Sequence, residues 1–182
     1  MAGDPANVAR RVFAEADVLL YPNPTLEPLD IPATITDPFV TTTGKWEFLG
    51  LLVGDAGIEQ SREWDETDIP AWGYGVIIVA SKDFNHTTTV SALEDNPTVD
   101  KVLWPGSTAT TIVVPQPLLS YFAIEKRTAD LKINRLISMM PGRFWCQNVN
   151  DNEGDAQPRE INVRVFPNSA KELYAAQKSA AA

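Results

Sequence analysis

Two-residue alternation dominates this chain, and it confines the fold to sheets. From Val12 to Tyr21 one side reads Val12, Ala14, Ala16, Val18 and Leu20, and the other Phe13, Glu15, Asp17, Leu19 and Tyr21. Successive side chains of a strand point to opposite faces, so this segment is a strand with one apolar and one mixed face. The prolines of Tyr21-Pro-Asn-Pro24 end it, because proline removes a ladder donor. Further strands are expected at Lys45–Val53, Val76–Ser81, Thr87–Leu93, Ala109–Val114, Tyr121–Lys126, Asp130–Met139, Phe144–Asn148 and Glu160–Phe166. In the last of these Ile161, Val163 and Val165 share one side, and Asn162 and Arg164 the other.

Helical signals are scarce. Asn96-Pro97 opens a short helix over Thr98–Trp104, with asparagine as cap and proline at the first helical position, and Pro105-Gly106 closes it. A second short helix is expected at Ser169–Tyr174, followed by a flexible Ala-rich tail over 175–182. Pro22, Pro24, Pro28, Pro32 and Pro38 make residues 22–44 an extended arm. Residues 54–73 read as a long acidic loop and Asn150–Gln157 as a shorter one. There is no internal repeat of solenoid length. The expectation is a single domain over 1–182: mainly β, a β-sandwich or barrel-forming fold with one flanking short helix and long loops.

Composition narrows the function. The 182 residues are 44% hydrophobic and 21% charged, a globular balance. A formal charge of −9 argues against nucleic-acid binding, which needs a basic footprint. No apolar stretch of signal-peptide length follows Arg10 and Arg11, and the longest apolar runs are strand-sized, so no membrane partner is expected.

Enzyme signatures are weak. A thiol dyad has only Cys146 and His86 to use. Cys146 lies in an apolar strand, where a cysteine behaves as a small hydrophobe. His86, among threonines, reads as a solvated loop or strand-edge residue. Asp151, Glu153, Gly154, Asp155 and Glu160 approach a calcium loop, but its first place falls on Val149 and Pro158 interrupts it. Gly73-Tyr74-Gly75 lacks the third glycine and helix of a phosphate cradle. The reading is no enzyme, no metal and no cofactor.

The segment from Glu59 to Trp72 stands apart. Glu59, Glu63, Asp65, Glu66 and Asp68 surround a single base, Arg62, and Trp64, Ile69 and Trp72 sit among them. Large aromatics in a charged segment suit a protein interface, although each tryptophan could equally cap the core. These nine residues form the candidate interface.

The order of motifs resembles a known family. Asp17-Val-Leu-Leu-Tyr21 leads into the proline-rich arm, then come Trp46-Glu-Phe-Leu-Gly50, Gly57-Ile-Glu59 and Thr67-Asp-Ile-Pro-Ala-Trp-Gly73. Thr87-Thr-Thr-Val-Ser-Ala-Leu-Glu94, Val102-Leu-Trp104 and Ile161-Asn-Val-Arg-Val165 follow. Together they resemble the major tail (tail tube) proteins of long-tailed, non-contractile bacteriophages, above all those of actinobacteria, across most of residues 8–174. Two departures are Met139-Met-Pro141, which breaks a late strand, and the proline density of 22–44.

The resemblance implies a structural virion protein, made in the host bacterial cytoplasm and located in the virion tail. Six copies would close into a ring around one β-barrel, and stacked rings would make a hollow tube, with tape-measure and other tail proteins as partners. Genomic DNA would pass through the lumen without specific binding. Glu59–Trp72 would be the stacking loop, 22–44 an inter-subunit arm, and segments 129–138 and 144–149 late barrel strands. The residues alone leave open a monomeric carbohydrate-binding β-sandwich using Trp64, Trp72 and Tyr74, or another virion part such as a capsid decoration or tail-completion protein.

Overall fold

A computed structural model of the chain describes residues 8, 11–22, 30–42, 44–154 and 156–179. Among the described residues nine antiparallel strands and one short helix form the frame: β1 (Phe13–Tyr21), β2 (Glu47–Phe48), β3 (Ile58–Ala71), β4 (Gly75–Ala92), α1 (Pro97–Leu103), β5 (Leu118–Thr128), β6 (Ile133–Ser138), β7 (Gly142–Cys146), β8 (Arg159–Val165) and β9 (Tyr174–Lys178). The expected class, mainly β with one short helix and long connections, is what the chain adopts.

β5 joins two arms of the sheet. Its first residues, Leu118–Ser120, pair with β7, and from Tyr121 onward it pairs with β1 and β6. One arm runs β2-β1-β5-β6-β9 and the other β5-β7-β8-β4-β3. Both feed one core: Val18 and Leu20 of β1, Phe122 and Ile124 of β5, Phe144 of β7, Val90 of β4, and Ile161, Val163 and Val165 of β8. The inward set read from the alternation of β8 is therefore the buried set.

The helix begins where its sequence dictates. Asn96 Oδ1 accepts from the amides of Thr98 and Val99, both at 3.0 Å, and Pro97 occupies the first turn, where no donor is needed. The Asn96 amide also donates to Leu49 O at 3.0 Å, tying the cap to the core. Val99 and Val102 are buried in the main cluster, so the helix closes one end of it.

A second apolar layer lies on the other face of β1 and β5. Trp46 is fully buried there, with Phe39 at 4.9 Å and Tyr21 at 5.3 Å between ring centroids. Its indole N–H donates to Asp30 O at 2.9 Å. Arg135, buried on β6, donates to the carbonyls of Thr34 and Asp37, and Gln177 donates to Pro32 O at 2.7 Å. Over residues 30–42 the expected inter-subunit arm is thus a strap on its own sheet. The prolines deny it a ladder, and Phe39 gives it an anchor instead. Residues 23–29 and 43 lie outside the described residues.

Other expectations are corrected. Lys45–Val53 contributes only the two-residue β2 and an isolated bridge at Leu52, and 109–114 only a bridge between Thr108 and Thr111. The expected helix at Ser169–Tyr174 is absent: the chain turns at Ser169-Ala170 and enters β9 at Tyr174, so the presumed flexible tail is a strand, paired with β6 from Ser138↔Tyr174 to Asn134↔Lys178. An open edge of β6, with Leu136 and Ile137 half-buried or buried, outweighs the poor strand preference of Ala175-Ala-Gln177. Residues 180–182 lie outside the described set. Among the described residues no helix is long and apolar enough to cross a membrane.

Candidate interaction surface: the projecting hairpin

The 54–73 segment is a strand and no loop. Only its start, Gly54–Gly57, and its tip, Trp72–Gly73, are turns. β3 runs from Ile58 to Ala71 and pairs along its length with β4, from Ile58↔Val90 to Ala71↔Gly75. β4 is likewise one strand, where two were expected with Lys82–His86 between them. The polar break is absorbed by a bulge between Glu63 and Asp65, opposite Asp83, whose φ of 51° places it in the left-handed region that aspartate tolerates. At the far end Gly73 and Gly75, at φ 82° and 75°, supply the positive dihedrals that reverse the chain.

Support for this hairpin stops abruptly. β4 pairs with β8 only from His86 to Ala92. Beyond His86, the nine residues from Glu63 to Ala71 and their β4 partners form a two-stranded ribbon with no third strand among the described residues. At about 3.3 Å per residue it reaches roughly 30 Å from the body.

Its surface is unlike that of a finished sheet. Val76, Ile77, Ile78 and Val79 are 53%, 57%, 56% and 51% exposed. Adjacent residues of a strand face opposite ways, so this run puts aliphatic side chains on both faces of the ribbon. Ile69 is opposite Ile78 on one face, and Asp68 opposite Val79 on the other. Trp72 at the tip is fully exposed, and Tyr74 nearly so. A two-stranded hairpin is marginal in water on its own, and contiguous apolar surface of this kind marks an interaction site.

A ladder of rings roots the ribbon. Trp64, 58% exposed, packs on Phe84 with centroids 4.7 Å apart. Phe84 stacks on His86 at 6.3 Å, and His86 meets Tyr174 edge-on at 5.6 Å. Tyr174 in turn contacts Phe122 of the core at 5.9 Å. Neither tryptophan caps the core.

His86 is buried, against the expectation of a solvated residue, at the last rung before β4 leaves β8. A carbonyl can only accept, so Nδ1 carries the proton and donates to Ser61 O at 2.9 Å. Nε2 therefore accepts from the Tyr174 hydroxyl at 3.0 Å, and Thr88 Oγ1 lies 3.2 Å from the same oxygen. Burial holds the imidazole below its usual range and pushes the Tyr174 phenol up to about 12.

The candidate interface residues all lie on this hairpin. Glu59 and Arg62 sit where β3 still flanks the body, and Glu63, Trp64, Asp65, Glu66, Asp68, Ile69 and Trp72 on the ribbon and its tip. Asp65 pairs with Lys82 at 3.7 Å and Glu66 accepts from Ser81 Oγ at 3.3 Å. Glu63 and Asp68 have no ion-pair partner among the described residues. Trp64 and Trp72 are separated by roughly 25 Å of extended strand, so Trp64, Trp72 and Tyr74 form no single stacking platform.

The other sites do not assemble. Both His86 nitrogens are engaged, and Cys146 donates to Asn148 O at 3.2 Å, its thiol pushed up chiefly by burial. Among the described residues no group of three or more His, Cys, Asp or Glu side chains is placed to hold a metal ion; Asp155 is outside them. Gly73-Tyr74-Gly75 is the hairpin turn. No protein-family model matches the chain, and no curated protein is similar to it.

What sequence reading missed is the aliphatic half of the ribbon, Val76–Val79. The signal was there: an uninterrupted apolar run in a strand must face both ways, and burying it needs cover on both sides.

Proposed function

We propose that this protein is a structural subunit that works by self-assembly, and that its assembly is the tail tube of a long-tailed, non-contractile phage. The observation that carries the reading is the ribbon, with aliphatic residues exposed on both faces and, among the described residues, no third strand beyond His86. One partner would cover one face only; a subunit held between neighbours covers both.

Two further features support assembly. β3 and β9 each pair on one side only, and β1 meets β2 only at Leu19 and Leu20, leaving Phe13–Asp17 without a neighbour on that side among the described residues. Such edges template pairing with another chain, and ring closure removes them. The motif order points to tail tube proteins in particular, hence to rings of six.

Net charge fits a conduit for DNA. Six copies at −9 each total −54 formal charges per ring. A basic lining would hold phosphates through counterion release, whereas acids facing the lumen leave the duplex mobile. The subunit needs no catalytic group for this work.

Electron microscopy of the purified protein tests the reading. Hollow tubes or six-fold rings are expected. A monodisperse monomer at every concentration overturns it. Trp72→Asp is expected to abolish stacking while the monomer keeps its melting temperature; tubes of normal length would remove the hairpin tip from the contact.

A further inference from the structure

On the solvent face of the second arm, Arg143 of β7 stands directly opposite Arg164 of β8. Both are exposed. Like charges in this register repel, and a chain that only had to fold would avoid the pairing. Three other arginines are matched with carboxylates, Arg127 with Asp17 and Glu125, Arg135 with Glu125 and Arg159 with Asp151, whereas Arg11 and Arg62 have no ion pair among the described residues. Arg143 and Arg164 have no carboxylate among the described residues; Arg164 has only the Phe166 ring, 5.8 Å away. The residues beside the pair on the same face, Thr87 of β4 and Ser61 of β3, carry no charge. Trp145, half-buried two residues along β7, flanks Arg143 on that face. Arginine beside tryptophan is the composition of a binding hot spot.

A complementary surface exists on the same chain, out of reach of this one. On one face of the ribbon Glu66 and Asp68 of β3 lie beside Ser81 and Val79 of β4. Neither acid has an ion-pair partner among the described residues. They project away from the body, so they meet Arg143 and Arg164 only when they come from another molecule. We infer that the Arg143–Arg164 face receives the Glu66–Asp68 face of the ribbon of a second copy, the two carboxylates relieving the arginine pair and Val79 covering Trp145. The inference rests on the self-assembly reading and names its partner surface. It also separates the two contacts of the ribbon, since the opposite face, with Ile69 and Ile78, remains for another neighbour.

Charge exchange on the full-length protein tests this, with the critical concentration for assembly read by sedimentation and particles checked by electron microscopy. Arg143→Glu with Arg164→Glu, or Glu66→Arg with Asp68→Arg, is expected to raise the critical concentration more than about tenfold. All four changes together are expected to restore it to near the unaltered value. Arg143→Gln with Arg164→Gln serves as the gentler pair. It is expected to weaken assembly while leaving the monomer's melting temperature unchanged or higher, because the repulsion is gone. If the unaltered protein never assembles, self-assembly and this contact fall together. If it assembles and the arginine reversals leave the critical concentration unmoved, or the fourfold exchange fails to rescue, only the contact falls. A short duplex DNA bound through Arg143 and Arg164, with assembly indifferent to them, would reassign the face to nucleic acid and overturn the inference.

Discussion

The body and the ribbon are built from the same strand-forming residues, yet they solve opposite problems. In β8, Ile161, Val163 and Val165 turn inward and are nearly inaccessible, while Glu160 and Arg164 turn out. In the outer half of β4, Val76, Ile77, Ile78 and Val79 stay about half exposed whichever way they turn. The body buries its apolar side chains within one chain; the ribbon has hydrogen bonds along one strand pair and, among the described residues, no apolar cover. Strand chemistry alone therefore does not make a stable sheet; apolar cover does, and the proposed assembly is what would supply it to the ribbon.

The largest expected contrast is electrostatic. In the body, Glu125 and Arg135 are buried against each other, with Arg135 Nε donating to Glu125 at 2.7 Å and Arg127 contacting the same carboxylate. Removing one partner of a buried pair leaves a charge without compensation and costs about 3–5 kcal/mol. Arg135→Met also releases the carbonyls of Thr34 and Asp37, so chemical denaturation should show both the loss and early exposure of the 30–42 strap. On the ribbon, Lys82→Met breaks the exposed pair with Asp65 and should change stability by less than about 0.5 kcal/mol. Equal costs at the two sites would erase the distinction between body and ribbon.

Next comes packing. Ile161→Ala opens a cavity where side chains of both arms meet, and about 2–5 kcal/mol is expected by urea titration. Ile78→Ala should cost the monomer less than about 0.5 kcal/mol, because the side chain is already half in water. The same change should impair assembly. Amide exchange sharpens the point: protons beyond His86 should exchange far faster than those of β8 in the monomer, and the proposed assembly is expected to protect them.

A smaller effect is expected at the cap. Asn96→Ala removes the acceptor for Thr98 and Val99 and the donor to Leu49, costing about 1–2 kcal/mol by thermal melting. This site belongs wholly to the body, so assembly should survive it at temperatures where the monomer stays folded.

How much of this was legible in the sequence follows the same division. Where one face is buried and the other wet, alternation speaks plainly: β8 emerges with its inward set, and Asn96-Pro97 marks the helix, whereas β1 emerges as a strand whose mixed face is buried as well, at Leu19 and Tyr21. The ribbon defeats that logic because both faces are wet in the monomer, so acids along β3 and aliphatics along β4 carry no inside and outside. Glu59–Trp72 consequently reads as a loop, and Lys82–His86 as a break, although a single bulge at Asp83 carries β4 through. β9 and His86 are opaque for another reason. Their partners are remote: Tyr174 lies 88 residues from His86, and nothing local in Ala-Ala-Gln announces an edge strand. The candidate interface residues were found by composition, and what joined them was the hairpin.

The smallest effect should come from the junction itself. His86 sits where ribbon meets body, its Nδ1 proton given to Ser61 O on β3 and its Nε2 taking the Tyr174 hydroxyl of β9. Burial lowers its affinity for a second proton, and nearby Arg62 adds to this. As pH falls below 6.5, the ordinary value, the unfolded chain takes up a proton before the folded one does. The contribution of this site to stability is therefore full above that value and declines as pH drops toward the lowered folded one. Protonation also turns Nε2 from acceptor to donor, so Tyr174 must reverse its hydroxyl or lose the bond. Denaturation curves from pH 7.5 to 5 should show a stability loss that His86→Gln lacks, with Tyr174 still able to donate to the glutamine. Protection of the Ser61 and Arg62 amides, relative to their intrinsic exchange at each pH, should fall over the same interval. A profile that is flat in the unaltered protein, or identical in both, would mean the ribbon is rooted by the ring ladder alone and that this histidine is packing.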